Sequence, residues 1–357
     1  MTTSPYQPIF EFTRGEAVES IHCGAAAVVD TRGKLVAWYG NPDAITFLRS
    51  TAKPFQALPF ITHGGQDNYH LSPREIALMC ASHSGTDEHV AVAKSIQDKT
   101  GVMEADLMCG THYPLHEPTA TALRKRDEKP TSNRHNCSGK HTGMLAFARM
   151  VYPDEPQVSL PYIDFSHPIQ QEILLAFAEM CALQPAQVIL GVDGCSAPNF
   201  AVPLRNAALA YARLCDPEMG GVFPRERANA CRIIAQAMMA SPDMVGGPGR
   251  FDTLLMETGQ GRILAKGGAE GYQGIGLMPG ALGEGSPALG ITIKIGDGDA
   301  RDKVASAVTL EILRQLNALS PEELESLSEF GPTMPVYNWR KVQTGLGYPS
   351  FTLQRAD

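Results

Sequence analysis

At 357 residues and 43% apolar composition, the chain is long enough for one large domain or two closely packed lobes, and too apolar to be disordered. Its net charge of −8, with no basic cluster, argues against nucleic acid or an anionic membrane as partner. The start lacks a signal-peptide pattern, no apolar run approaches the roughly 18 residues of a membrane span, and eight scattered cysteines form no CxxC pair, so the expectation is a cytoplasmic protein.

In chain order, CGAAAVVDTRGKLVAWYG (23–40) reads as a β-hairpin turning at Asp30-Thr31-Arg32-Gly33. FLRSTAKPFQALPF (47–60) reads as the apolar front of a helix. SPREIALMCASHSG (72–85) opens on a capping box, with Ser72 as cap, Pro73 in the first turn and Glu75 reaching back, and should end near Ser82–Gly85. Thr86 should cap a helix running to about Lys99, and a further helix should open near Gly139. Helical stretches follow near 167–183, 203–215 and 226–240.

After about residue 250 the pattern changes. GRILAKGG, GYQGIGLMPG and ALGITIKIGDG are short strand-like runs between glycines, close enough for an antiparallel meander. Residues 299–319 read as a long amphipathic helix, and the tail shows little regular pattern. The class is therefore α+β, a mixed or antiparallel sheet with helices. The hairpin in 1–45 and the β-rich 250–300 segment should form one sheet beside a helix-rich 50–245.

Three motifs carry chemistry: Ser50-Thr51-Ala52-Lys53, Ser82-His83-Ser84 and Lys266-Gly267-Gly268. If residues 50–53 open a helix, Ser50 and Lys53 share a face, so the amine lies within reach of the hydroxyl. Serine needs a base close by, and lysine is a base only when burial or neighbouring positive charge depresses its pKa. The order S-x-x-K, S-x-N, K-[TS]-G is that of the penicillin-recognising acyl enzymes. Ser84 and Gly267 depart from it.

A second set comprises Cys137, Lys140 and His141 in RHNCSGKHTGM (134–144) and Asp193 and Cys195 in GVDGCSAPNF (191–200). Two thiolates with nearby nitrogen suit a soft metal such as zinc; two buried structural thiols are the alternative, and spacing leaves both open. Asp193 reads equally as the partner of a substrate ammonium or as a turn residue. Arg250 and Asp252 in VGGPGRFDT are candidates for the edge of a site, and Asp299 for the cap of the helix after it. The histidines at 83, 89, 112 and 116 show no metal-ligand spacing.

Taken together, FTRGEAVESIHCGAAAVVD, LRSTAKPFQALP, CASHSGTDEH, HNCSGKHTGML, GVDGCSAPNF, GGPGRFDT and AKGGAEG resemble the L-asparaginase II family of the Rhizobium etli type. The resemblance implies hydrolysis of L-asparagine by a homodimer with a fold similar to the serine β-lactamases and glutaminases. It implies two pairs, Ser50 with Lys53 and Ser82 with Lys266, and zinc held by Cys137, Lys140 and Cys195. The mechanism expected on this reading has Asp193 hold the substrate ammonium and Arg49 or Lys266 hold its α-carboxylate. The rival expectations are a glutaminase or β-lactamase-like serine amidohydrolase, and a zinc-dependent amidohydrolase with the serines as bystanders.

Overall fold

A computed structural model describes residues 4–153, 160–300 and 303–356. The N-terminal hairpin pairs β1 (Gln7–Arg14) with β2 (Ala17–Asp30), and β2 turns into β3 (Leu35–Tyr39). That second turn forms because Asp30 acts twice: its carbonyl accepts from Gly33, and its carboxylate accepts from the Arg32 and Lys34 N–H groups. The first seven residues of β2 are exposed or half-buried, whereas Gly24 to Val29 are buried, so the apolar signal begins only at the second half.

Two short strands, β4 (Ile45–Phe47) and β5 (Ile189–Val192), flank β6 (Pro198–Pro203) in a small separate sheet. The late meander is β7 (Ile263–Gly268), β8 (Tyr272–Leu277) and β9 (Leu289–Ile295). It joins the hairpin through antiparallel β2–β9 pairing, from Gly24 opposite Ile295 to Asp30 opposite Leu289. The tail corrects the expectation of little regular structure. It forms β10 (Met334–Tyr337), β11 (Gln343–Pro349) and β12 (Gln354–Arg355), giving the order β10-β11-β1-β2-β9-β8-β7, with β3 paired to β2 and β12 to β3.

The helix Leu204–Cys215 packs on β2, β8 and β9. Its floor is glycine: a Cβ at Gly290 would lie 1.7 Å from the Ala208 carbonyl oxygen, and one at Gly276 would lie 2.3 Å from Cys215 Sγ. No side chain fits there, so helix backbone approaches sheet backbone directly.

The capping box at Ser72 and Glu75 forms, and its helix runs Pro73–Met79. It stops short of Ser82 because the next residues are drawn elsewhere: Ser82 N–H bonds the Val245 carbonyl at 3.0 Å, and Ser84 Oγ bonds the Gly246 carbonyl at 2.7 Å. Thr86 caps Asp87–Thr100, and the helix expected near Gly139 is Ser138–Val151. The expected 167–183, 203–215 and 226–240 stretches are Pro168–Met180, Leu204–Cys215 and Arg225–Ala240. Asp299 accepts from the Ala305 N–H in the first turn of Val304–Gln315. Arg301 and Asp302, within the expected start of that helix, lie outside the described residues. No helix among the described residues is long and apolar enough to cross a membrane.

Candidate active site

Ser50 lies in a tight 3₁₀ turn, Arg49–Ala52, that runs into the helix Lys53–Thr62. Long-range contacts clamp this turn. Leu48 N–H bonds the Phe200 carbonyl, Arg49 N–H bonds Asn199 Oδ1, and Tyr211 OH from the overlying helix bonds the Thr51 carbonyl. Arg49 is held at φ +53°, a left-handed conformation costly for a side chain of its size. The serine hydroxyl is thus presented from a fixed, strained backbone.

Lys53 is 1% exposed and Lys266 fully buried. The lysines converge on one hydroxyl: Lys53 Nζ lies 3.0 Å from Ser82 Oγ, and Lys266 Nζ lies 2.8 Å from it. Lys53 is not hydrogen-bonded to Ser50, one turn back. Its other acceptors are the Ala81 carbonyl at 2.5 Å and the Asn136 carbonyl at 3.4 Å. Three donors on an ammonium therefore meet three oxygens. Lys266 also reaches the Gly267 carbonyl at 2.6 Å, with Asp252 Oδ2 at 3.9 Å. Burial pulls the Lys266 pKa down to about 7; the Asp252 carboxylate opposes this, and the Lys53 and Arg250 charges add to it.

Ser50 and Ser82 line one cavity of about 520 Å³. Asn136, Arg250, Asp252 and Gln273 also face it. Asp252 pins the lysine strand by accepting from Gly267 N–H at 2.6 Å and from Gln273 Nε2 at 2.9 Å. The sequence does not single out Gln273, which sits in a strand-like run, nor Asn136, although it lies within HNCSGKHTGM beside Cys137. Ser84 points away from the cavity into its bond with Gly246.

The two candidate substrate-binding residues meet each other. Arg49 Nε bonds Asp193 Oδ1 at 2.7 Å, 144 positions apart, and neither lines the cavity. Burial alone would raise the Asp193 pKa, but Lys140 and the bond from Arg49 outweigh it and hold the carboxyl below its usual range.

Cys137, Lys140 and Cys195 also come together. Lys140 Nζ lies 2.9 Å from Cys195 Sγ, and the neighbouring Cys195, with the Lys53 and Lys140 charges, holds the pKa of the buried Cys137 thiol well below its usual value. His141 Nε2 is buried next to Cys195, and burial pulls the imidazole pKa down to about 4. Among the described residues no three His, Cys, Asp or Glu side chains are grouped to hold a metal ion, so a metal here depends on the lysine. Two sulfurs and an amine nitrogen fit zinc in donor type. His83, by contrast, is a structural residue, bonded to Ser138 Oγ and to Gly85 N–H.

No curated protein matches the sequence. Among solved structures, the chain is similar to a Bacillus subtilis glutaminase in covalent complex with 5-oxo-L-norleucine, at 13% identity and TM-score 0.38, covering 84% of this chain and 89% of that one. It is also similar to a Bacillus glutaminase at 9% identity and TM-score 0.40, covering 83% and 91%. The family pattern of L-asparaginase II matches residues 10–347, nearly the whole of the chain that builds this serine–lysine cavity, and the chain belongs to that family of amidohydrolases.

Proposed function

We propose that the protein hydrolyses L-asparagine to L-aspartate and ammonia through an acyl-enzyme on Ser50. The observation that carries this reading is the Ser82 hydroxyl bonded to both buried lysines in the cavity that Ser50 lines. Ser50 Oγ attacks the side-chain amide carbon. Its proton passes into the network of Lys53, Ser82 and Lys266 and ends on Lys266, which starts neutral. The proton then returns through Ser82 to the amide nitrogen as the C–N bond breaks, because ammonia leaves and NH₂⁻ does not. Water hydrolyses the β-aspartyl ester and restores Ser50. The Ser50 peptide N–H is assigned the developing oxyanion.

Cys137, Lys140 and Cys195 are assigned a zinc ion, with His141 beside them. Bound there, zinc supplies fixed positive charge near Asn136 and the lysine network. A metal assay of the purified protein, with Cys137→Ser and Cys195→Ser as controls, tests this. The enzyme is assigned to the cytoplasm, where its eight free thiols stay reduced, and to a homodimer by family resemblance. Glutamine is the competing substrate, since the roomy cavity accepts one more methylene and such a difference is discriminated only about 10–200-fold.

Ammonia release from asparagine and glutamine, measured side by side, tests the activity. Ser50→Ala should lose at least about 1,000-fold in kcat and the acyl adduct seen by mass spectrometry. Ser82→Ala should lose about 100-fold or more. If both variants stay within about tenfold of the parent, the serine–lysine scheme is wrong and the zinc reading takes its place.

A further inference from the structure

We infer that Arg250 binds the α-carboxylate of the substrate, so that the cavity recognises α-amino acids rather than amides in general. This rests on the amide-hydrolase reading of the same cavity.

Among the described residues, Arg250 is the only cationic side chain lining the cavity of Ser50 and Ser82. The other positive groups nearby are already committed. Arg49 is bonded to Asp193, Lys53 to three oxygens, and Lys266 to Ser82 and Gly267. Arg250, half-buried, makes no ion pair and no side-chain hydrogen bond among the described residues. Its planar fork of donors is therefore open to a bidentate carboxylate.

Three features suit it to that task. First, its backbone is fixed: Arg250 N–H bonds the Gly247 carbonyl at 3.2 Å, and its own carbonyl accepts from Leu254 at 3.0 Å. Second, it precedes the helix Phe251–Gly259, whose first-turn peptide N–H groups add positive potential, and its side chain does not cap them. Third, Phe251 packs on Phe330 with ring centroids 5.3 Å apart, giving the cavity that Arg250 lines an apolar wall. A charge pair next to such a wall is less screened than one in open water. Asp252, two residues on, ties this helix to the lysine strand, so the guanidinium keeps a set relation to the reacting serines. Its charge is near enough to act on Lys266.

The test compares L-asparagine with 3-aminopropanamide, which is asparagine without its α-carboxylate. In Arg250→Ala the ratio of kcat/KM for asparagine over 3-aminopropanamide should collapse by at least about 30-fold, the cost of removing one partner of a desolvated charge pair. Arg250→Lys should recover part of it, since the charge remains and the fork does not. Calorimetric affinities for L-aspartate against β-alanine give the same comparison without turnover. A ratio within about threefold of the parent in both variants overturns the inference. Parent enzyme inactive on asparagine and glutamine alike overturns the amide-hydrolase reading instead.

Discussion

Lys266 is where sequence position, burial and chemistry meet most directly. A fully buried ammonium with its nearest carboxylate at 3.9 Å is poorly compensated, and its pKa falls to about 7. Neutral Lys266 begins the proposed relay, so the deprotonated fraction sets the rate. The expected pH profile of kcat/KM rises through about 7 and levels above it. Lys266→Arg, which cannot give up its proton, should lose about 100-fold or more and flatten that rise. A profile unmoved by that substitution would remove Lys266 from the relay. The sign for stability follows from the same shift. The unfolded chain holds this proton up to about pH 10.4, the folded chain only up to about 7, so the unfolded state binds more protons between them. The contribution to unfolding free energy therefore rises with pH across that window.

Among the elements, the helix Leu204–Cys215 does most to place the site. It rests on the glycines of β8 and β9, and it carries Tyr211, whose hydroxyl holds the Thr51 carbonyl of the serine turn. Phe55 and Tyr211 meet edge to face at 5.3 Å, coupling this helix to the one that begins at Lys53. A methyl group at Gly290 would have to displace the Ala208 carbonyl, a backbone atom that cannot rotate aside. Gly290→Ala should therefore cost more than about 3 kcal/mol in urea unfolding. Activity should fall with it as the serine turn loses its clamp. A cost under about 1 kcal/mol would mean that the helix does not rest on the sheet at this point.

At the scale of the whole molecule, the two ends of the chain complete one sheet. Phe10, Glu11 and Phe12 of β1 pair with Pro349, Tyr348 and Gly347 of β11, and β12 closes on β3. Ending the chain after residue 331 would strip β1 of that neighbour and leave a long unpaired edge. Size-exclusion chromatography of that truncation should show aggregation and little folded monomer or dimer. A well-behaved truncated protein with full ammonia release would show that the serine–lysine cavity does not need the C-terminal strands.

The features that a reader of residues alone obtains here are those set by short-range physics. The Asp30 turn, the Ser72 capping box, the glycine-punctuated meander and the helix from Ser138 each depend on neighbours within a few positions. The tail strands were hidden because β10 and β11 are held by an open sheet edge rather than by an apolar alternation of their own. Motif order likewise marked Ser50, Lys53, Ser82 and Lys266, but spacing paired Lys53 with the hydroxyl three residues away. Folding turned it toward Ser82, 29 positions on, and brought Lys266 to the same oxygen from 184 positions away. It also joined Arg49 to Asp193 and left Arg250 with open donors. A hydrogen bond depends on where atoms converge in space. Which partner a side chain takes is therefore settled when helix, strand and loop pack together, and not by its place along the chain.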